Sequence, residues 1–89
     1  MFKKEKSRIY LENEKGELIA EITFPEMSPG VYTINHTFVD DSLRGQGVAS
    51  KLVQAAVDEI ERLGGTVKAT CSYAVAWFEK QKNTGQDEK

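Results

Sequence analysis

An α+β fold with a mixed sheet, in the order β-β-β-α-β-α, is predicted by three features of this sequence. Leu18, Ala20, Ile22 and Phe24 alternate with largely polar neighbours, the period of two that marks a half-buried strand. From Gly47 to Leu63 the apolar period lengthens to that of a helix. Between them, two glycines in the run from Asp41 to Ser50 mark where a strand pattern gives way to a helix pattern.

Each element follows from local chemistry. Residues 1–7 are basic and polar, and they predict no regular structure. Arg8 to Glu12 reads as a strand with Ile9 and Leu11 on one face. Asn13-Glu14-Lys15-Gly16 is a hairpin turn, with glycine available for a left-handed position. The strand from Glu17 to Phe24 follows, its polar face interrupted only by Ile19. Pro25 to Gly30 holds two prolines and a glycine and reads as a loop. A third strand spans Val31 to Val39. Tyr32, Ile34, His36 and Phe38 fall on one side, and Val31, Thr33, Asn35, Thr37 and Val39 on the other.

Short links make an antiparallel meander the natural arrangement of these three strands. In the helix, Val48, Leu52, Val53, Ala56, Val57, Ile60 and Leu63 form the apolar stripe, and Gly64-Gly65 ends it. Thr66 to Thr70 is a short fourth strand, expected to lie parallel to the third through a right-handed crossover. A last helix starts near Ser72 with Tyr73, Val75, Trp77 and Phe78, and a polar, disordered tail is expected from Asn83 onward.

Composition narrows the function classes. The 89 residues predict one domain with a modest core. A charged fraction of 29% and a net charge of −2 offer no general attraction to nucleic acid or an anionic membrane. No secretory or membrane-spanning segment is visible, and a monomer is expected. The single cysteine, Cys71, excludes an internal disulfide, and the expected compartment is the reducing cytoplasm. One histidine and one cysteine far apart do not suggest a metal site.

The glycine run is the principal functional motif. Gly45 and Gly47 allow close backbone approach to a ligand, and the helix start behind them presents unpaired amides, which suits a phosphate. It is not a P-loop, because Gly47-Val48-Ala49-Ser50-Lys51 lacks the Gly-Lys-Ser/Thr ending. It is not the dinucleotide fingerprint, because the third glycine is missing. The same glycines could simply shape a strand-to-helix turn.

Arg44-Gly45-Gln46-Gly47-Val48-Ala49 resembles the Arg/Gln-x-x-Gly-x-Gly/Ala signature of the GNAT superfamily of N-acetyltransferases, with Arg44, Gly47 and Ala49 at the defining positions. Asn35-His36-Thr37 before it and Cys71-Ser72-Tyr73 after the next strand look like the short, single-domain members of that superfamily. The resemblance covers Ile9 to Lys82. It implies that acetyl-coenzyme A is the acyl donor. The pyrophosphate would sit on the amides of Gly45, Gln46, Gly47, Val48, Ala49 and Ser50. The pantetheine arm would pair with the main chain of Phe38 and Val39, between a third and fourth strand that splay apart. Arg44 and Lys51 would add charge for the phosphates or remain surface cations.

Full-size relatives carry helices between their first two strands and further strands after the last helix, which build much of the acceptor site. Here the Asn13–Gly16 turn and a polar tail stand in those places. Short relatives often have an acidic residue at position 38, where this chain has Phe38, so a base there is lost.

Three residues are candidates for the chemistry. Cys71 precedes a helix, whose N-terminal amides favour a thiolate, and it could receive the acetyl group. As a lone cysteine it could also be a small buried hydrophobe. His36 could deprotonate an acceptor amine or Cys71, but its position on the more apolar strand face also fits a hydrogen-bonded core histidine. Tyr73 could protonate the departing coenzyme A thiolate or simply pack against Trp77. Trp77 and Phe78 read as core. The function implied is transfer of an acetyl group from acetyl-coenzyme A to an amine or protein acceptor, directly or through Cys71. The alternative is an acyl-coenzyme A binding or sensing module with little turnover.

Overall fold

The structure, a computed structural model, describes residues 2–43 and 45–87. Among these residues are seven strands and two α-helices: β1 Lys3–Glu5, β2 Arg8–Glu12, β3 Leu18–Thr23, β4 Glu26–Ser28, β5 Val31–Ile34, β6 His36–Val39, α1 Val48–Arg62, β7 Thr66–Ala69 and α2 Ser72–Asp87. The α+β class and the mixed sheet agree with the sequence reading. Strands β1-β2-β3-β6 form an antiparallel sheet, while β4-β5-β7 form a second sheet in which β5 and β7 run parallel.

The β2–β3 hairpin turns where expected. Asn13 Oδ1 accepts the amides of Lys15 and Glu17, and Gly16 takes the left-handed φ of 81°. Ala20, Ile22 and Phe24 are fully buried beneath α1, together with Ile9, Ile34, Leu52, Val53, Ala56 and Ile60.

Both ends hold more structure than predicted. Lys3–Glu5 pairs with β2, and Glu5 and Lys3 are fastened by ion pairs to Arg8 and Glu12. Cross-strand charges therefore supply what an apolar pattern would otherwise signal. At the other end, α2 continues through Asp87, past the point where a tail was expected. The 25–30 loop contains β4, which pairs with β5.

The main departure is at Asn35, where the expected third strand breaks in two. The Asn35 amide donates to Thr23 O at 3.2 Å, although Thr23 lies opposite His36 in the register. Two residues thus face one, which is a β-bulge, and the pleat loses its phase. Ile34 points to the core, yet so do Thr37 and Val39, which lie opposite Ile22 and Ala20. His36 and Phe38 turn outward and are exposed. Parity counted straight through the bulge put His36 on the wrong face.

Candidate functional site

The bulge divides the sheets and opens the site. Before it, β5 pairs with β7 from Val31↔Thr66 to Ile34↔Ala69. After it, β6 pairs with β3, and β7 runs on into α2. The chain closes the apex of this V through Ile34 O, which accepts the amides of Thr70 and Cys71 at 3.0 and 3.2 Å.

Hydrogen-bond phase shows which β6 groups are left open. Asp40 N donates to Ile19 O at 2.8 Å, so alternate pairs Phe38↔Glu21 and His36↔Thr23 are the bonded ones. The backbone N–H and C=O of Thr37 and Val39 therefore point away from β3, into the V. Phe38, expected to offer its main chain there, directs it to Glu21 instead.

At the wide end of the V lies an open cleft of about 430 Å³, lined by Val39, Leu43, Gly45, Gly47, Val48, Ala49 and Tyr73. A 3-10 turn over Asp41–Leu43 leads to it, and Asp40 holds the turn by accepting the Ser42 amide at 3.0 Å. The bond from the Ser42 side chain, and then that from its amide, keep the Asp40 carboxyl below the usual range. Gly45 and Gly47 have φ of 80° and 70°, left-handed values that a side chain would strain. Gly47 is the N-cap of α1, and no side chain caps the helix. The first amides of α1, from Val48 to Ser50, therefore retain the donor capacity and positive potential of a helix N-terminus. Gln46 is exposed beside them, and Arg44 lies outside the described residues.

Cys71 occupies the narrow end. Its carbonyl accepts the Val75 amide at 2.9 Å, which makes it the N-cap of α2. The thiol lies 3.5 Å from Thr37 Oγ1 and is partly buried. Burial pushes the thiol up. The Thr37 hydroxyl and the amides of Ala74, Tyr73 and Thr37 outweigh it and hold Cys71 below its ordinary value of 9.0. Two neighbours tie this sulfur to the cleft. Thr37 and Val39 are next-but-one neighbours on β6, about 7 Å apart, and Tyr73 follows Cys71 by two residues and lines the cleft. Trp77 Nε1 donates to Ser50 Oγ at 2.9 Å and packs edge-on to Phe78, pinning α2 to the start of α1.

His36 is not brought to Cys71. It stands on the outer face of the sheet, with Nε2 3.4 Å from Glu21 Oε1. Glu21 is a residue that sequence reading passed over. Its only signal there is its place on the same strand face as Ile19 and Thr23, which becomes informative once the bulge is known. Among the described residues no cluster of three His, Cys, Asp or Glu could hold a metal ion. No described helix is long and apolar enough to cross a membrane.

The family model for GCN5-related N-acetyltransferases matches residues 8–87, nearly the whole chain and all of the elements that build the V. The chain belongs to the GCN5-related N-acetyltransferase family. As a member it is an acetyltransferase, and acyl-coenzyme A-dependent acetyl transfer is the general reaction. Among solved structures it is similar to a GCN5-like protein of Staphylococcus aureus assigned as an N-acetyltransferase. The TM-score is 0.76 at 31% identity, covering 93% of this chain and 81% of that one. A GNAT family N-acetyltransferase of Escherichia coli in complex with coenzyme A matches at TM-score 0.57 and 22% identity, covering 65% of this chain and 35% of that one. N-acetylglutamate synthase of Neisseria gonorrhoeae, complexed with coenzyme A and N-acetylglutamate, matches at 0.68 and 17% identity, over 84% of this chain and 18% of that one. The last two likenesses concern the fold alone. No curated protein sequence matches this chain.

Proposed function

We propose that this GNAT protein takes the acetyl group of acetyl-coenzyme A onto Cys71 and passes it to an amine or protein acceptor. The observation that carries the reading is the alignment of three features along one V: an uncapped helix start, the open backbone of β6, and a thiol held below its ordinary pKa. The amides of Gly45 and of Gly47 to Ser50 suit the pyrophosphate, while that of Gln46 donates to Leu43 O at 3.3 Å. Thr37 and Val39 suit the pantetheine amides as an added strand would. The thioester then reaches Cys71.

The thiolate attacks the acetyl carbonyl carbon. A new S–C bond forms, the bond to the coenzyme A sulfur breaks, and that sulfur leaves as a thiolate that Tyr73 can protonate. The acceptor amine then attacks acetyl-Cys71, forms the amide, and releases the cysteine thiolate as its own excess proton departs. The test is intact-mass analysis after mixing protein with acetyl-coenzyme A. One added acetyl group is expected in wild type and none in Cys71→Ala. No adduct, with transfer unchanged in Cys71→Ala, means direct attack by the amine on the thioester.

The tight turn at Asn13–Gly16, in place of acceptor-covering helices, favours a second reading as an acyl-coenzyme A binding module. Saturable binding without coenzyme A release above the uncatalysed rate would support it.

A further inference from the structure

Strand β7 ends its sheet, and among the described residues no strand pairs with its outer edge. Hydrogen-bond phase fixes what that edge offers. Thr66 N donates to Gly30 O at 2.7 Å and Thr70 N to Ile34 O at 3.0 Å, so Thr66, Lys68 and Thr70 direct their backbone groups to β5. The N–H and C=O groups of Val67 and Ala69 therefore point the other way, a donor and an acceptor from each along one open edge.

Helix α2 supplies a wall beside this edge. Between the two runs an open groove of about 350 Å³, lined by Val67, Lys68, Ala69, Val75, Phe78 and Glu79. Val75 is 37% exposed there, and Phe78 is half-buried. The side chains of Val67 and Ala69 pack toward the core, whereas that of Lys68 is exposed. An open ladder edge beside an apolar wall accepts an extended segment, whose backbone completes the ladder while alternate side chains enter the groove.

Charge decides which segment. Lys68 has no ion-pair partner among the described residues. In the antiparallel register that uses every open group, Val67 of one copy of this chain would face Ala69 of a second. The two Lys68 side chains would then stand directly opposite each other, where like charges repel. An edge lysine guards against self-pairing in this way. An acidic residue at the same point turns the repulsion into attraction. Its two neighbours fall opposite Val67 and Ala69, with their side chains on the groove side.

We propose that the free edge of β7 docks an extended, antiparallel segment of a partner protein with the pattern apolar–acidic–apolar. The acidic residue lies opposite Lys68, and the apolar residues lie against Val75 and Phe78. The groove shares no lining residue with the cofactor cleft, so the proposal does not depend on the route of acetyl transfer.

The test uses the full chain and two peptides, acetyl-Thr-Thr-Val-Glu-Val-Thr-Thr-amide and its counterpart with lysine in place of glutamate. As the glutamate peptide saturates, amide hydrogen exchange at Val67 and Ala69 is expected to slow on the order of tenfold, with Thr66, Lys68 and Thr70 unchanged. In wild type the glutamate peptide should bind about fivefold more tightly than the lysine peptide. Lys68→Glu, at an exposed position, should reverse that order, and Val75→Ser should weaken both. Unchanged exchange at Val67 and Ala69 with either peptide overturns the proposal. Equal affinity for the two peptides, in wild type and Lys68→Glu alike, does the same. So does slow exchange without peptide that strengthens with protein concentration, beside a doubled mass in sedimentation, because a second copy then holds the edge.

Discussion

At Cys71 burial and hydrogen bonding act in opposite directions, and the bonds from Thr37 and the α2 amides prevail. Iodoacetamide alkylation is therefore expected to reach half its maximal rate below pH 9.0, the ordinary thiol value. Thr37→Val should move that midpoint upward by removing the hydroxyl. The same shift has a stability consequence with a definite sign. A thiol whose folded pKa lies below its unfolded one contributes nothing at acid pH. Its contribution appears as pH rises through the folded value and is complete above the ordinary value of 9.0. The thermal midpoint of wild type relative to Cys71→Ala should therefore increase over that window in a pH series. The place of Cys71 at a strand end before a helix was legible in Thr70-Cys71-Ser72. The outward turn of His36 was not, because its face depends on a phase set by neighbours distant in sequence.

At the level of elements, two glycines make different demands. Gly47 sits at φ 70°, but a Cβ there would meet nothing within 4 Å. Gly47→Ala should thus cost only the left-handed strain, about 1–2 kcal/mol, read as a lower urea midpoint with unchanged slope. Gly65 has no such φ, yet its Cβ would lie 2.7 Å from Cε1 of Tyr32 and 3.1 Å from Gly30 O. Gly65→Ala should cost about 1–3 kcal/mol through crowding, and Tyr32→Ala should relieve that penalty in the double variant. The helix C-terminus at Gly64-Gly65 was readable as a cap, and Gly64 does take φ 76°. The crowding at Gly65 was not readable, because Tyr32 reaches it only after β5 and β7 pair. The same holds for the Val31–Val39 run, whose alternation looks continuous and whose bulge becomes visible only once Asn35 and His36 are both set against Thr23.

For the molecule as a whole, the core among the described residues is one cluster from β2, β3, β5, α1 and α2 together with Phe24, which follows β3. Leu52 is fully buried in it, so Leu52→Ala is expected to destabilise by about 2–5 kcal/mol, a large share of what a domain of this size commands. Ligand binding acts in the other direction. Coenzyme A at a hundredfold excess over its dissociation constant should add about 2.7 kcal/mol, seen as a rise of about 10–20 °C in the thermal midpoint. Gly47→Glu should abolish that rise by placing a carboxylate among the phosphate-facing amides. The sequence by itself determined the α+β class, the hairpin at Asn13–Gly16, helix α1 with its apolar stripe, and the glycine turn that marks the cofactor end. Those features rest on period, turn chemistry and helix-end chemistry, all of which act over a few residues. Tertiary structure alone decided where the sheet divides, which β6 amides and carbonyls stay open, and that Glu21 meets His36 across two strands. Each depends on register between distant segments, and one inserted residue at Asn35 reverses every face that follows it.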